Sequence, residues 1–196
     1  MGEVQEEESK ESIKRRSLIR SKIRLRRLIN ANIEEWDKFI TLTFADNITD
    51  VSYANDEFRK FKQRLKYRMD KKLKYVTVIQ YQKRGAIHYH ILLNCDYIPH
   101  KKLESIWGHG YVKINQIDNV DNVGAYVVSY MDDDFSKINE NKKRYFHSRN
   151  LKKPIVIKND SKVAELFTEF KNIKPDFEKE YDTEYFGKVN YQQYKC

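Results

Sequence analysis

Two histidines one residue apart, in His88-Tyr89-His90, are residues whose type and spacing can do chemistry. They lie in an apolar and aromatic run over residues 87–93 that predicts a β-strand. Alternation along a strand sends positions i and i+2 to one face, so both imidazoles project together from a rigid platform. Adjacent imidazoles can ligate a divalent metal ion; the plainer outcome is two polar side chains on a half-exposed sheet. Tyr89 and Ile87 then point the other way, into a core. A third donor is expected from the partner strand, residues 74–82, where Gln80 and, as the alternative, Gln82 share a face. A three-residue hairpin loop pairs Gln82 with His88 and Gln80 with His90, whereas a loop of two or four residues turns both glutamines away.

A second pair is Tyr126 and Tyr130. On a helix, positions i and i+4 share a face, so the two phenols project together. A phenol attacks phosphorus if its proton is lost and the phosphate is polarised. The resulting tyrosine ester stores the energy of the broken phosphodiester bond, so the strand can be rejoined without ATP. In a chain with 14 Tyr, packing of core or surface is the competing reading. His100, His109 and His147 are scattered and read as surface or structural residues.

The elements that must hold these residues follow from pattern. Residues 1–11 are polar and acidic and predict disorder. Residues 12–33 read as a basic amphipathic helix in which Lys14, Arg15, Arg16, Arg20, Lys22, Arg24, Arg26 and Arg27 alternate with Ile19, Ile23, Leu28 and Ile33. Residues 39–44 predict a strand. Residues 55–69 predict a helix with Phe58, Phe61, Leu65 and Met69 on one side and a basic back that includes Lys62 and Lys66. The short link 83–86, with Arg84 and Gly85, joins the two central strands as an antiparallel hairpin. A helix over 99–107, a strand over 110–117 and a helix capped by Asp118 or Asn119 and running to about Met131 come next. A short helix is expected over 163–170, and residues 181–191 show no clear periodicity. The order β-α-β-β-α-β-α fits an α+β fold, an antiparallel β-sheet with helices packed mainly on one face. The expected division is 1–33 as disordered start and basic helix, 34–155 as the central domain, and 156–196 as an extension packing on or flanking it.

The 196 residues carry a formal charge of +9, and 10 Phe accompany the tyrosines. With a sequence pI near 9.3, this suits a polyanionic partner. Cations for phosphate and flat rings for bases are what single-stranded nucleic acid rewards. Arg20, Arg24, Arg27, Lys62, Lys66 and Arg84 are the candidate DNA contacts, which would give affinity without sequence choice. Cys95 and Cys196 make neither a disulfide framework nor a cysteine zinc motif. The acidic start is no signal peptide, and no apolar run is long enough to span a bilayer. No Gly-x-x-x-x-Gly-Lys-Ser/Thr phosphate loop is present.

Taken in order, three segments resemble the HUH endonuclease superfamily, specifically the replication initiators of rolling-circle plasmids and small phages. Phe39-Ile-Thr-Leu-Thr-Phe44 resembles the first motif of that group, Gly85-Ala-Ile-His-Tyr-His-Ile-Leu-Leu93 its histidine–hydrophobic–histidine motif, and Gly124-Ala-Tyr-Val-Val-Ser-Tyr-Met131 its tyrosine motif. Arg144-Tyr-Phe-His-Ser-Arg-Asn-Leu-Lys-Lys-Pro154 is similar to a stretch that follows the tyrosine motif in Gram-positive-type initiators. The likeness spans roughly residues 15–155. It implies that the histidines sit on a central strand and bind Mg²⁺ or Mn²⁺. It also implies that Tyr126, Tyr130 or both attack single-stranded or hairpin origin DNA, giving a 5′-phosphotyrosine and a free 3′-OH. A host helicase and polymerase, and a bacterial cytoplasm, are the implied setting. Two positions depart from the pattern. The lysine customary three residues after the nucleophile is Ser129 after Tyr126 and Asp133 after Tyr130, with Lys137 as a substitute, and an upstream position often filled by Glu is Gln80. These departures motivate the alternative of a weak or inactive binder of single-stranded or hairpin DNA on the same fold. An RNA-binding module with base-stacking aromatics is a third class, and it gives no reason for adjacent imidazoles.

Overall fold

A computed structural model describes residues 2–70, 72–115, 117, 122–131, 143–183 and 187–194. The chain divides into two compact units, residues 1–154 and 155–196. In the first unit, α1 (Gly2–Asn30) leads to β1 (Lys38–Phe44), α2 (Val51–Lys66), β2 (Tyr75–Tyr81), β3 (Ile87–Leu93), α3 (His100–Trp107), β4 (Gly110–Asn115), α4 (Val123–Val128) and β5 (Tyr145–His147). The five strands form one sheet in the order β4-β1-β3-β2-β5, and all pairings are antiparallel. The α+β class and the antiparallel sheet agree with the sequence pattern, and β3 lies at the centre.

The sheet separates two apolar clusters. Even positions of β1 and odd positions of β3 (Ile40, Leu42, Phe44, Ile87, Tyr89, Ile91) meet Phe58, Phe61 and Leu65 of α2 and Leu103, Ile106 and Trp107 of α3. The opposite set, Phe39, Val76, Val78 and Leu92, meets Leu18, Leu25 and Ile29 of α1 and Val123 and Val127 of α4. Thus α2 and α3 fill one face, while α1 and α4 cover one end of the other.

Several local expectations shift. α1 begins at Gly2 instead of following a disordered start; glutamate is a good helix former, so the acidic stretch does not oppose a helix. Its buried stripe is Leu18, Leu25 and Ile29, while Ile19 and Ile23 stay exposed, as does Ile33 beyond the helix. A chain rich in both Ile and Arg leaves the helical phase ambiguous until a partner selects one face. α2 starts at Val51, because Asp50 accepts hydrogen bonds from the Ser52 and Tyr53 amides, and it stops at Lys66 rather than Met69. β4 ends at Asn115 rather than reaching Ile117. α4 begins at Val123 under Asn122, whose side chain accepts from the Ala125 amide; Asp118 and Asn119 lie outside the described residues. α4 is short and ends at Val128, so Tyr130 sits in the turn after it.

The segment after the tyrosine motif holds an unforeseen edge strand. β5 pairs with Val76–Val78 of β2, and Ser148 ties its end to the Tyr75 backbone. Asn32 bridges the end of α1 to the Lys152 backbone through both its amide oxygen and its nitrogen. In the second unit, α5 (Asp160–Phe170) is capped by Asn159, and β6 (Phe177–Thr183) pairs with β7 (Gly187–Gln193). That hairpin falls partly where no periodicity was visible. Its polar residues bond across the strands, as Lys188 does to Glu180 and Asn190 to Glu178, so an apolar alternation was not there to be seen.

Candidate active site

β3 carries His88 and His90 toward the face shared with α1 and α4. The hairpin loop decides what meets them. Tyr81 pairs with Ile87 and the Gln82 amide donates to the Ala86 carbonyl at 2.8 Å, so the three residues 83–85 close the turn, two residues out of the register that would pair Gln82 with His88. Gly85 turns this loop with a φ of 86°, a region that side chains other than glycine rarely enter. An odd count preserves parity, so Gln80 still shares the histidine face. It lies opposite His88, and Val78 lies opposite His90. Gln82 falls beyond the strand end, where its amide oxygen accepts from Arg84 Nε at 3.2 Å.

Three rows cross this face. Tyr111, Thr43, His88 and Gln80 form the first, and Lys113, Thr41, His90 and Val78 the second. Asn115, Phe39, Leu92 and Val76 form the third, and the α1/α4 cover lies over this row and reaches Val78 and His90 of the second.

His90 is 4% exposed. Its Nδ1 lies 3.1 Å from Thr41 Oγ1 and its Nε2 lies 2.7 Å from Gln80 Oε1. Burial, with His88 as the second cause, pushes its pKa down to about 3. His88 is also buried, and its Nε2 has no hydrogen-bond partner among the described residues. Burial lowers its pKa first, and the Arg84 charge lowers it further. Both rings are therefore neutral near pH 7 and keep lone pairs, which a cation requires of its imidazole ligands.

This donor set fits a divalent cation: two neutral imidazoles, one with an unpartnered buried nitrogen, and the Gln80 amide oxygen. Among the described residues no three His, Cys, Asp or Glu side chains converge. Among the described residues, the side-chain oxygen nearest His90 Nε2 is the Gln80 amide oxygen.

α4 brings the tyrosines to the same place. At Gly124 a Cβ would collide with Asn30 Oδ1 and come within 2.9 Å of Arg26 Cγ, so only glycine lets α4 lie this close to α1. The Tyr130 ring stacks on His90 with centroids 3.9 Å apart, and Phe39 packs against His90, Tyr126 and Tyr130. The Tyr130 hydroxyl donates to the Tyr126 oxygen at 2.7 Å. Burial, then this bond, pushes the Tyr130 pKa up to about 12. Ser129 is exposed, and its hydroxyl bonds the Tyr126 carbonyl at 2.6 Å; Asp133 and Lys137 lie outside the described residues.

Residues 37–135 match the family model described as replication-associated protein ORF2/G2P. The chain belongs to this replication-associated family. The matched span runs from the start of β1 past α4 and contains Thr41, Gln80, both histidines and both tyrosines. Membership supports a role as a replication initiator. No curated protein and no solved structure matches the chain.

The remaining predicted site residues of this replication-associated protein scatter. Arg20, Arg24 and Arg27 are exposed on α1, and their spacing puts them roughly opposite the buried stripe. Lys62 and Lys66 belong to α2, on the far face of the sheet. Lys62 is engaged there, its ammonium 2.8 Å from the Tyr75 hydroxyl and 4.5 Å from the Tyr75 ring centre. Arg84 alone of the six acts on His88. Sequence reasoning missed Phe39 and Thr41, which contact His90 directly; alternation through residues 39–43 was the available signal.

Proposed function

We propose that this replication-associated protein is a single-stranded DNA endonuclease and strand transferase that starts rolling-circle replication at an origin. The observation that carries the reading is the contact of Tyr130 with His90, which sets a tyrosine pair beside two neutral imidazoles. His88, His90 and the Gln80 oxygen would hold Mg²⁺ or Mn²⁺. When bound, such an ion supplies Lewis-acid polarisation of a phosphate oxygen.

Tyr126 is the first nucleophile in this proposal. Its oxygen accepts the Tyr130 hydrogen bond, and the same bond stabilises negative charge once Tyr126 loses its proton. The Tyr126 oxygen then bonds to phosphorus and the bond from phosphorus to the 3′-oxygen breaks. The phenolic proton goes to solvent and the departing oxygen takes one up, leaving a 5′-phosphotyrosine and a free 3′-OH. Tyr130 is placed to accept the strand in a second transfer. Thr41 and Phe39 hold the His90 ring in place. Arg84 sits within electrostatic reach of His88 and can neutralise phosphate charge.

The test is an adduct assay on the full chain with origin-derived single strands and Mn²⁺, read as a protein–DNA species stable to denaturant. The proposal expects an adduct that disappears in the Tyr126→Phe, Tyr130→Phe double variant. A second reading, a binder that does not cleave, is favoured by Ser129 at the customary lysine position. It predicts salt-sensitive binding, unchanged in the double variant, and no adduct with the wild type.

A further inference from the structure

The first sheet row continues past the histidines onto β4, where its residue Tyr111 is exposed. Val112 is buried toward α2 and α3, so strand alternation turns Tyr111 and Lys113 to the histidine face. Tyr111 lies opposite Thr43, which lies opposite His88. Lys113 lies opposite Thr41, whose hydroxyl reaches His90. Tyr111 is 68% exposed, and Lys113 is exposed beside it. Neither makes a hydrogen bond, ion pair or ring contact among the described residues. An exposed ring on a rigid strand has little rotamer freedom to lose, and a neighbouring ammonium two residues on provides for the phosphate. This pairing of flat ring and cation is the chemistry of a single-strand track, because every base has a π-face whereas a duplex hides it.

We propose that Tyr111 and Lys113 form a nucleotide subsite on β4, in which Tyr111 stacks an unpaired base and Lys113 holds the adjoining phosphate, leading the strand across Thr43 to His88. The subsite rests on the reading that single-stranded DNA is the substrate, and it adds where the strand lies beside the cleavage point. It is independent of metal and of tyrosine chemistry. β4 is an edge strand of the sheet, so a long strand can approach it from the side.

The decisive experiment is fluorescence anisotropy of the full chain with labelled oligothymidylate in EDTA, where no cleavage occurs. Tyr111→Ala should weaken binding roughly tenfold or more, while Tyr111→Trp restores it. Lys113→Gln should reduce the slope of log K against log salt by about 0.7, as loss of one single-strand phosphate contact does. Tyr67→Ala, which removes a ring that is 91% exposed outside the sheet, should bind as wild type. Wild-type affinity in Tyr111→Ala overturns the proposal, as does an equal loss in Tyr67→Ala or a wild-type preference for duplex. If the adduct assay fails but Tyr111→Ala still loses affinity, the nuclease reading falls and the subsite stands.

Discussion

On one face of the sheet Tyr89 is sealed, stacked on Phe58 at 4.6 Å with its hydroxyl donating to Asn55. On the other face, one residue away on each side along the same strand, sit His88 with an unpartnered nitrogen and His90 under a tyrosine. Burial pushes the pKa of the Tyr89 phenol far up, so it stays protonated in its hydrogen bond to Asn55. α2 and α3 span the first face completely enough to satisfy its centre. α1 and α4 cover only one end of the second, leaving the row of Tyr111, Thr43, His88 and Gln80 at the margin of the cover. The comparison teaches that one β-strand can be sealed core on one side and a candidate site on the other, provided the helices above it differ in extent.

The largest expected effect separates the two tyrosine environments. Tyr126→Phe should abolish adduct formation. Tyr130→Phe should leave a slower first transfer and block the second, measured by time courses of adduct and of rejoined strand. Equal adduct yields from Tyr126→Phe and wild type would overturn the assignment of the first nucleophile. Next come the two floors. Phe39→Ala and Phe58→Ala should each cost about 3–5 kcal/mol in urea unfolding. Only Phe39→Ala should also remove adduct formation from the protein that remains folded, since Phe39 supports both tyrosines and His90. Equal loss of activity in both would erase the proposed difference between the faces.

Gly124→Ala should cost about 1–3 kcal/mol through overpacking. It should also slow adduct formation, because α4 must back away from α1 to make room. The smallest effect lies on the sealed face. Lys60, with help from His109, holds the Glu57 carboxylate below its usual 4.5. Its stabilisation is present above that value and is lost as pH falls through the lower folded-state value. Glu57→Gln should therefore flatten the acid limb of a stability–pH profile while leaving adduct formation near neutrality unchanged.

Much of this was legible without coordinates. His88 and His90 share a face because strand parity is a property of covalent geometry. Tyr126 and Tyr130 come together for a similarly local reason, although α4 ends before Tyr130 and the last turn does the work. The hairpin itself was legible from the short link with Gly85, but neither its register nor the face that Gln80 takes was, since loops of two, three or four residues all fit such a link. The buried stripe of α1 was misread because Ile19 and Ile23 are as apolar as Leu18 and Leu25. β5 and the β6–β7 hairpin escaped because short or polar strands are defined by partners far along the chain.

The sequence by itself determined which candidate site residues are paired, because periodicity is set by the local backbone. Only the tertiary structure decided that the two pairs meet. That meeting depends on the register of β3 against β2, on Phe39 packed against His90 and both tyrosines, and on a glycine contact between α1 and α4 across about a hundred residues of chain. Such contacts depend on packing between distant segments, and no local pattern encodes them.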